Sequence, residues 1–231
     1  MHNLLSKVSI QVNKCIFLKD PQSSDLGRRI IAGSIDMIDE MGFEGFTFRK
    51  LGKAIKSTEA SVYRYFESKH KLLLYLTSWY WGWMEYQLVF KLTNIDSAKE
   101  RLERSIVLLT EKVQEDRNYT HVNEIKLNRI VIAESSKAYL TKEVDRENKE
   151  GVFAGYKKLV ARISDIILEI DPAYKYSHML VSTVIEGAHH QRYFAEHLPR
   201  LTDVVQGEDA IIEFYKEMVF KAINGGNGQT V

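Results

Sequence analysis

Two short amphipathic segments separated by a polar joint, within residues 46–73, constrain the fold of this chain more than any other feature. In the first segment, Phe48, Leu51 and Ile55 recur at helical spacing along one side. Thr47 precedes them, and its side chain is well suited to cap the first turn of a helix. The segment is therefore predicted to be a short helix with one buried face.

The second segment has small or polar side chains on most of its surface. Ser57 and Thr58 can cap its start, and Val62 is its one strong inward anchor. Ala60 and Ser61 are short enough for the backbone to approach a binding partner closely. Two such helices joined by a tight turn predict a helix-turn-helix whose second helix enters the major groove of DNA. This pattern indicates a regulator rather than an enzyme.

Basic charge is concentrated in the same region. Between Thr47 and Lys71 there are seven Lys or Arg residues and two acidic residues, whereas the whole chain has a net charge of +1. Neutralisation of DNA phosphates requires such a local excess and does not need a high overall charge. On charge alone, a solvated basic helical face explains the pattern equally well.

Helices are also predicted on both sides of these segments. Ile31, Ile35 and Ile38 form the core-facing stripe of a preceding helix, which Gly42 can end in a left-handed conformation. Ser68 can cap a following helix rich in aromatic residues.

The same region carries a family pattern at the positions Met41-Gly42-Phe43, Phe46-Thr47, Leu51, Ala54, Val62-Tyr63, Tyr65-Phe66 and Ser68 to Leu73. With this gapless spacing it resembles the DNA-binding domain of the TetR family of bacterial regulators. The resemblance covers about 50 of the 231 residues. Lys56 and Ser57 stand where the family has Gly and Val in the turn, and His70 replaces a common acidic residue.

The resemblance implies a set of DNA-contacting residues. Thr47, Tyr63 and Lys69 match positions at which the family holds phosphates, and Arg64 is the best candidate for reading guanine. The implied partner is double-stranded operator DNA with two half-sites, which a homodimer would read. The full predicted set is Thr47, Arg49, Thr58, Glu59, Ala60, Ser61, Tyr63, Arg64, Tyr65 and Lys69.

The whole chain is predicted to be all-α. Apolar residues make up 45% of the sequence, and the three prolines lie where helical periodicity breaks. We expect a three-helix DNA-binding domain over residues 25–75 and a larger helical domain over residues 76–223, for effector binding and dimerisation. Residues 224–231 are expected to form a flexible tail.

Residues 1–24 are predicted to be an N-terminal arm. The sequence from residue 8 to 18 alternates around a turn at Asn13-Lys14, which favours a small β-hairpin. The alternative is an arm that reaches DNA through Lys7, Lys14 or Lys19.

The last two predicted helices, from Pro172 to His197 and from Glu208 to Ile223, gain a meaning from the resemblance. TetR-type proteins dimerise by packing two C-terminal helices of each subunit into a four-helix bundle. The alternative for the same apolar residues is burial within one subunit. The residues predicted for this seam are Val181, Val184, Ile185, Ala188, Ile211, Ile212, Tyr215, Met218 and Val219.

A small-molecule effector is the second partner that the resemblance implies. Aromatic rings with one polar group, together with neutral imidazole, suit a pocket between helices. The alternative is that these rings simply fill the core. The candidate lining residues are Trp83, Tyr86, Tyr156, His189 and Tyr193.

An enzyme reading has no specific support in the sequence. His189, His190 and His197 lie near one another in a helix, but they lack the His-Glu-x-x-His spacing of a zinc protease, so no metal and no cofactor are predicted. A single cysteine excludes an intramolecular disulfide, and the absence of a signal-peptide pattern favours a cytoplasmic protein without a membrane anchor. The alternative function is a helical ligand-binding or protein-interaction module that does not use its DNA-binding fold.

Overall fold

The structure is a computed structural model that describes residues 10–116, 119 and 121–224. These residues form ten α-helices and no strand, so the all-α prediction is confirmed. The helices are α1 (Asp25–Gly45), α2 (Phe48–Ala54), α3 (Glu59–Tyr63), α4 (Lys69–Leu92), α5 (Ala98–Thr110), α6 (Glu124–Tyr139), α7 (Val144–Lys149), α8 (Ala154–Ile170), α9 (Ser177–His197) and α10 (Ala210–Asn224).

The chain divides into two compact units. The first contains the residues up to Trp83 together with Val113–Tyr156, and the second contains Met84–Lys112 together with the residues from Lys157 onward. The first unit therefore holds α6 and α7 as well as the helix-turn-helix. It is larger than the predicted 25–75 segment because α1 packs against α6.

Gly42 interrupts α1 as predicted. Its φ of 73° lies in the left-handed region, which glycine adopts without a side-chain clash. The backbone then turns so that Phe43 is buried, and the Phe43 N–H donates to Glu134 Oε1 at 3.1 Å. One further helical turn follows, so α1 extends to Gly45 rather than ending at Gly42.

Side-chain caps define the starts of the next helices. The Thr47 hydroxyl accepts from the Lys50 N–H and the Thr58 hydroxyl accepts from the Ser61 N–H, both at 3.2 Å. Ser68 Oγ accepts from the Lys71 N–H at the start of α4, also at 3.2 Å. All three caps were predicted from sequence, because capping depends on residues within one helical turn.

The joint between α2 and α3 is tight. A Cβ atom placed on Gly52 would lie 3.0 Å from the backbone of Thr58 and Glu59, so the glycine permits this close approach of the two helices. Lys56 adopts a φ of 52°, the left-handed conformation that the glycine of the family turn would adopt more easily. The helix-turn-helix geometry is therefore kept in spite of the Lys56 substitution.

The β-hairpin prediction is wrong for the residues that the structure describes. Lys14–Ile16 form a single turn of 3-10 helix, with the Asn13 side chain accepting from the Cys15 N–H. Ile16 is buried, and the Leu18 N–H donates to the Tyr65 carbonyl at 2.8 Å. Contacts with the first unit thus replace the cross-strand bonds of a hairpin. Residues 8 and 9, and Lys7, lie outside the described residues.

The stretch between residues 142 and 170 forms two helices, α7 and α8. Gly151, with a φ of 81°, separates α7 from α8, and its N–H donates to the Asn148 carbonyl. The helix predicted to begin at Pro172 begins later, at Ser177, because a turn precedes α9.

The second unit is built around α5, α9 and α10. Both α9 and α10 pack against α5 and against each other. Arg192 on α9 donates to the Thr110 carbonyl at the end of α5, and its Nη2 also lies 2.7 Å from Asp209 Oδ2. These bonds fix the end of α5 and the approach to α10 relative to α9.

The left-handed conformation of Lys56 generates a prediction. A residue with a Cβ atom loses about 1 kcal/mol in this region, and glycine does not. Lys56→Gly should therefore raise the free energy of unfolding by about 0.5–1 kcal/mol in urea denaturation. Lys56→Ala is the control, because it removes the same charge without relieving the backbone. Equal stability of the two variants would contradict the strain.

Candidate nucleic-acid interface and effector site

Most of the predicted DNA-contacting residues are available on the surface of α2 and α3. Eight of the ten predicted side chains are not buried and lie on these helices or at their caps; Tyr65 and Lys69 are treated below. Those eight residues are Thr47, Arg49, Thr58, Glu59, Ala60, Ser61, Tyr63 and Arg64. These side chains are therefore accessible to a partner, and their contact with DNA stays a prediction.

Two of these contacts are preorganised by neighbouring side chains. The ring of Tyr63 meets that of Phe48 edge-on, with centroids 5.0 Å apart, while 48% of the tyrosine remains exposed. The hydroxyls of Thr58 and Ser61 lie 2.9 Å apart at the start of α3. Both arrangements hold a polar group at the surface with little freedom left to lose on binding.

Tyr65 does not belong to the exposed set, which corrects the sequence prediction. Its side chain is only 3% exposed, and its hydroxyl lies 2.7 Å from Ser24 Oγ. The ammonium of Lys19 covers the ring at 5.2 Å from the centroid. Residue 65 follows the end of α3, so its side chain turns inward and cannot reach a base edge in this conformation.

Lys69 is half-buried and already engaged. Its Nζ donates to the Phe43 carbonyl at 3.2 Å and lies 4.6 Å from the centroid of the Phe43 ring. Glu44 Oε2 is 3.8 Å away. A phosphate contact by Lys69 would therefore share the ammonium with the end of α1.

Two exposed lysines join the candidate interface that the predicted set omitted. Lys53 lies at the end of α2 and Lys56 lies in the turn. No ion pair links either of them, or Arg49 and Arg64, to another residue in the described ranges. These four charges are available to phosphates, and the local charge excess in the sequence was the signal that indicated them.

The predicted effector-lining residues fall into both units. In the first unit, Trp83 is buried and donates from Nε1 to Asp116 Oδ2 at 3.2 Å, while Tyr156 stacks on Trp81 at 4.2 Å between centroids. In the second unit, Tyr86 is half-buried and Tyr193 is 41% exposed. Their role in ligand binding stays a prediction.

His189 and its neighbours are part of α9 in the second unit. Burial, together with the nearby His190, lowers the pKa of His189 to about 4, so its imidazole is neutral at physiological pH. His190 stacks on Phe194, and His197 lies against Tyr193 with centroids 4.4 Å apart. In the described ranges, no group of three or more His, Cys, Asp or Glu residues is arranged to hold a metal ion.

A buried carboxyl group in the first unit was missed by sequence reasoning. Glu124, in the first turn of α6, has no exposed surface. Its Oε2 accepts from the Asp116 N–H at 3.1 Å, whereas Oε1 has no hydrogen-bond partner in the described part of the chain. Burial is the main cause that raises the pKa of Glu124 to about 7; the nearby Asp116 and Glu115 carboxylates add to this rise, and hydrogen bonds from the backbone N–H groups of Asp116 and Glu124 oppose it. An acidic residue at a helix start usually indicates only a favourable helix dipole, so nothing in the sequence distinguished it.

Most residues predicted for the dimer seam are buried within one chain. Only Ile212 and Met218 of the nine keep partial exposure. The close approach that Gly187 permits is also internal, because a Cβ atom there would lie 2.3 Å from the Tyr215 hydroxyl of the same chain. The apolar periodicity was recognised correctly, but the structure accounts for it by packing of α9 and α10 inside the second unit.

Other side chains on α9 and α10 are apolar and exposed. Met179 on α9 is 66% exposed, and Phe214 on α10 is 56% exposed. These side chains lie outside the core of the single chain, so they are the ones that a second copy could cover.

Among the described residues, no helix has both the length and the apolar character needed to cross a membrane.

Comparison with known proteins identifies the N-terminal region. Residues 30–76 match the family model of bacterial regulatory proteins of the TetR family, which confirms the resemblance predicted from the motif. The family consists of regulators rather than enzymes. No curated protein matches the chain significantly.

Among solved structures, the chain is similar to the crystal structure of AibR in complex with isovaleryl coenzyme A and operator DNA. The two chains are 17% identical, and the TM-score is 0.53. The similarity covers 84% of this chain and 96% of the other. At this identity the likeness shows a shared fold.

The raised pKa of Glu124 generates a second prediction. As the pH rises from about 5 to about 8, the unfolded chain releases this proton first, because the folded state holds the proton more tightly. The free energy of unfolding therefore falls with rising pH through this window. Glu124→Gln should reduce that fall by about 1–3 kcal/mol in denaturation at the two pH values. Glu40→Gln, at an exposed site on α1, should leave it unchanged. Equal pH dependence in all three proteins would contradict the burial of an ionisable Glu124.

Proposed function

We propose, from the premise that residues 30–76 form a helix-turn-helix domain of the TetR family, that this chain is a DNA-binding transcriptional regulator. Its homodimer binds a palindromic operator, acts as a repressor and responds to a small-molecule effector. The observation that carries the proposal is the exposed polar helix α3, which packs closely against α2 at Gly52 and is flanked by basic side chains that form no ion pair with any residue the structure describes. As a regulator of bacterial genes it acts in the cytoplasm.

The two helices have distinct tasks in this proposal. Ala60 and Ser61, in the first turn of α3, have side chains short enough to let the helix enter deep into the major groove. Arg64 follows at its end and can donate two hydrogen bonds to guanine. Arg49, Lys53 and Lys56 neutralise phosphates on the two sides of the groove and fix the orientation of α3.

Arg64→Ala tests the reading role directly. A bidentate contact with guanine contributes about 1–3 kcal/mol, so the variant should bind the preferred operator about ten-fold or more weakly and accept other bases at one position per half-site. Binding is measured by fluorescence anisotropy on the operator and on single-base variants of it. Lys53→Ala is the matched control, since a phosphate contact should weaken all sequences about equally and reduce the salt dependence by about one unit. Unchanged base preference in Arg64→Ala would remove Arg64 from this role.

The homodimer is proposed to form through the exposed faces of α9 and α10. Met179 and Phe214 supply large apolar side chains there, and desolvating such groups drives association. Ile212 and Met218 are partly exposed on the same helix, α10, and add apolar surface for the partner to cover. The buried residues of these helices pack inside the second unit and hold the two exposed faces in place.

Phe214→Glu should shift the protein from dimer to monomer, because it places a charge in the apolar seam. Sedimentation equilibrium should show a dissociation constant raised about ten-fold or more. Leu140→Glu is the control, since residue 140 is an exposed leucine of the first unit and lies on neither α9 nor α10. A Phe214→Glu protein that stays as dimeric as the control would place the dimer interface elsewhere.

Regulation by an effector requires that its binding change the relative positions of the two DNA-binding domains of the dimer. A ligand shifts the equilibrium between a dimer that can bind the operator and one that cannot, and it does so only by the difference between its affinities for these two states. AibR, the similar protein of known structure, was crystallised with both a ligand and operator DNA. By analogy, this chain is proposed to bind a small molecule, with Trp83 and Tyr156 of the first unit as candidate contacts.

A further inference from the structure

The strongest unexplained feature of the first unit is the environment of Glu124. Hydrogen bonds connect it to a cluster of aromatic side chains from α4 and from residue 119. The ring of Trp79 meets that of Tyr119 edge-on at 5.2 Å between centroids, and Trp83 lies 5.9 Å from Tyr80. Three of these rings are 4% exposed or less.

Hydrogen bonds connect this aromatic cluster to α6. The Tyr80 hydroxyl donates to Asn128 Oδ1 at 2.7 Å, one helical turn after Glu124. On the other side, Trp83 Nε1 donates to Asp116 Oδ2, and the Asp116 N–H donates to Glu124 Oε2. The Glu124 carboxyl group is thereby directed toward the same residues that hold the rings together.

One oxygen of this carboxyl group has no protein partner among the described residues. Oε1 of Glu124 is buried and accepts no hydrogen bond there, and no Lys, Arg or His of the described ranges forms an ion pair with it. Leaving a buried carboxyl oxygen unsatisfied costs about 1–3 kcal/mol or more. A ligand that supplies a donor to this oxygen would recover that cost on binding.

The charge around Glu124 selects the kind of donor. Asp116 and Glu115 add negative charge on the side of the preceding segment. Aromatic faces attract cations, and a carboxylate that hydrogen bonds connect to a group of aromatic rings adds a negative charge to that attraction. An anionic ligand would meet like charges and a buried carboxyl group, which is unfavourable.

We propose that Glu124 binds the positively charged nitrogen of the effector, so that the effector of this protein is a small organic cation with an apolar body. Its ammonium or guanidinium group lies against Glu124 Oε1, and its apolar part packs on the rings of Trp79 and Trp83. Only the regulatory meaning of this site rests on the proposed function, since the binding itself does not require DNA.

The position of Glu124 explains how a cation bound there would affect the helices that contact DNA. Glu124 and Glu134 lie on the same helix, α6, and Glu134 accepts the Phe43 N–H at the break in α1. Arg129, between them, forms two bonds to Asp39 of α1, both at 2.7 Å. A shift of α6 on binding is therefore transmitted to α1 within one compact unit.

The test titrates the full-length protein, without DNA, with four probes of similar size that differ in charge: benzylamine, benzyltrimethylammonium, benzyl alcohol and benzoate. Isothermal titration calorimetry gives the affinities, and tryptophan emission reports on Trp79 and Trp83. Both cations should bind more tightly than benzyl alcohol, benzylamine by at least about ten-fold because it supplies both the charge and an N–H donor, and benzoate should bind most weakly.

Variants assign the preference to Glu124. Glu124→Gln should lower the affinity for both cations about ten-fold or more, whereas Glu40→Gln, at an exposed site, should not change it. If Glu124→Gln does not fold, Glu124→Asp keeps the charge and should keep the preference for cations at reduced affinity. The proposal would be overturned if all four probes bound equally, if benzoate were preferred, or if neither cation bound at millimolar concentration. An unchanged cation affinity in Glu124→Gln would overturn it as well.

Operator binding by the ligand-free protein is measured separately. Cation binding through Glu124 without DNA binding would leave the site intact and refute the regulator function. DNA binding without cation binding would refute the site and leave the regulator function intact.

Discussion

The interface between α1 and α6 is the constraint on which the rest of the first unit depends. Gly42 breaks α1, and the N–H that this break exposes is satisfied by the buried Glu134 carboxylate rather than by water. Lys137 lies 2.6 Å from the second oxygen of Glu134 and balances its charge. A buried carboxylate bonded in this way stabilises one geometry and penalises others. The DNA-reading helices therefore form one compact unit with α6, rather than a separate domain that ends near residue 75.

Local features of the sequence were sufficient to predict the helix-turn-helix. Thr47, Thr58 and Ser68 cap their helices as expected, because a cap depends on an N–H two or three residues away. Gly42 takes its left-handed conformation for an equally local reason. Lys56 shows that a geometry can survive the loss of its preferred residue, since the contact at Gly52 fixes the joint.

Features that depend on distant partners were beyond sequence reasoning. Tyr65 could face DNA or the core, and the choice is made by Ser24 and Lys19, which lie more than 40 residues earlier. The apolar stripes of α9 and α10 look the same whether they pack against a second subunit or against α5. Glu124 does not stand out in the sequence, because its significance lies in its burial and in its bond to the Asp116 N–H. The N-terminal alternation suggested strands, but it serves to bury Ile16 against the first unit.

The central claim is that the exposed surface of α2 and α3 reads a specific DNA sequence. Selection from a random double-stranded library with the purified full-length protein tests it most directly. The expected result is enrichment of sequences with two inverted half-sites, bound with an affinity that falls steeply as salt is added. A protein that enriches no sequence over the starting library, even at low salt, would contradict it.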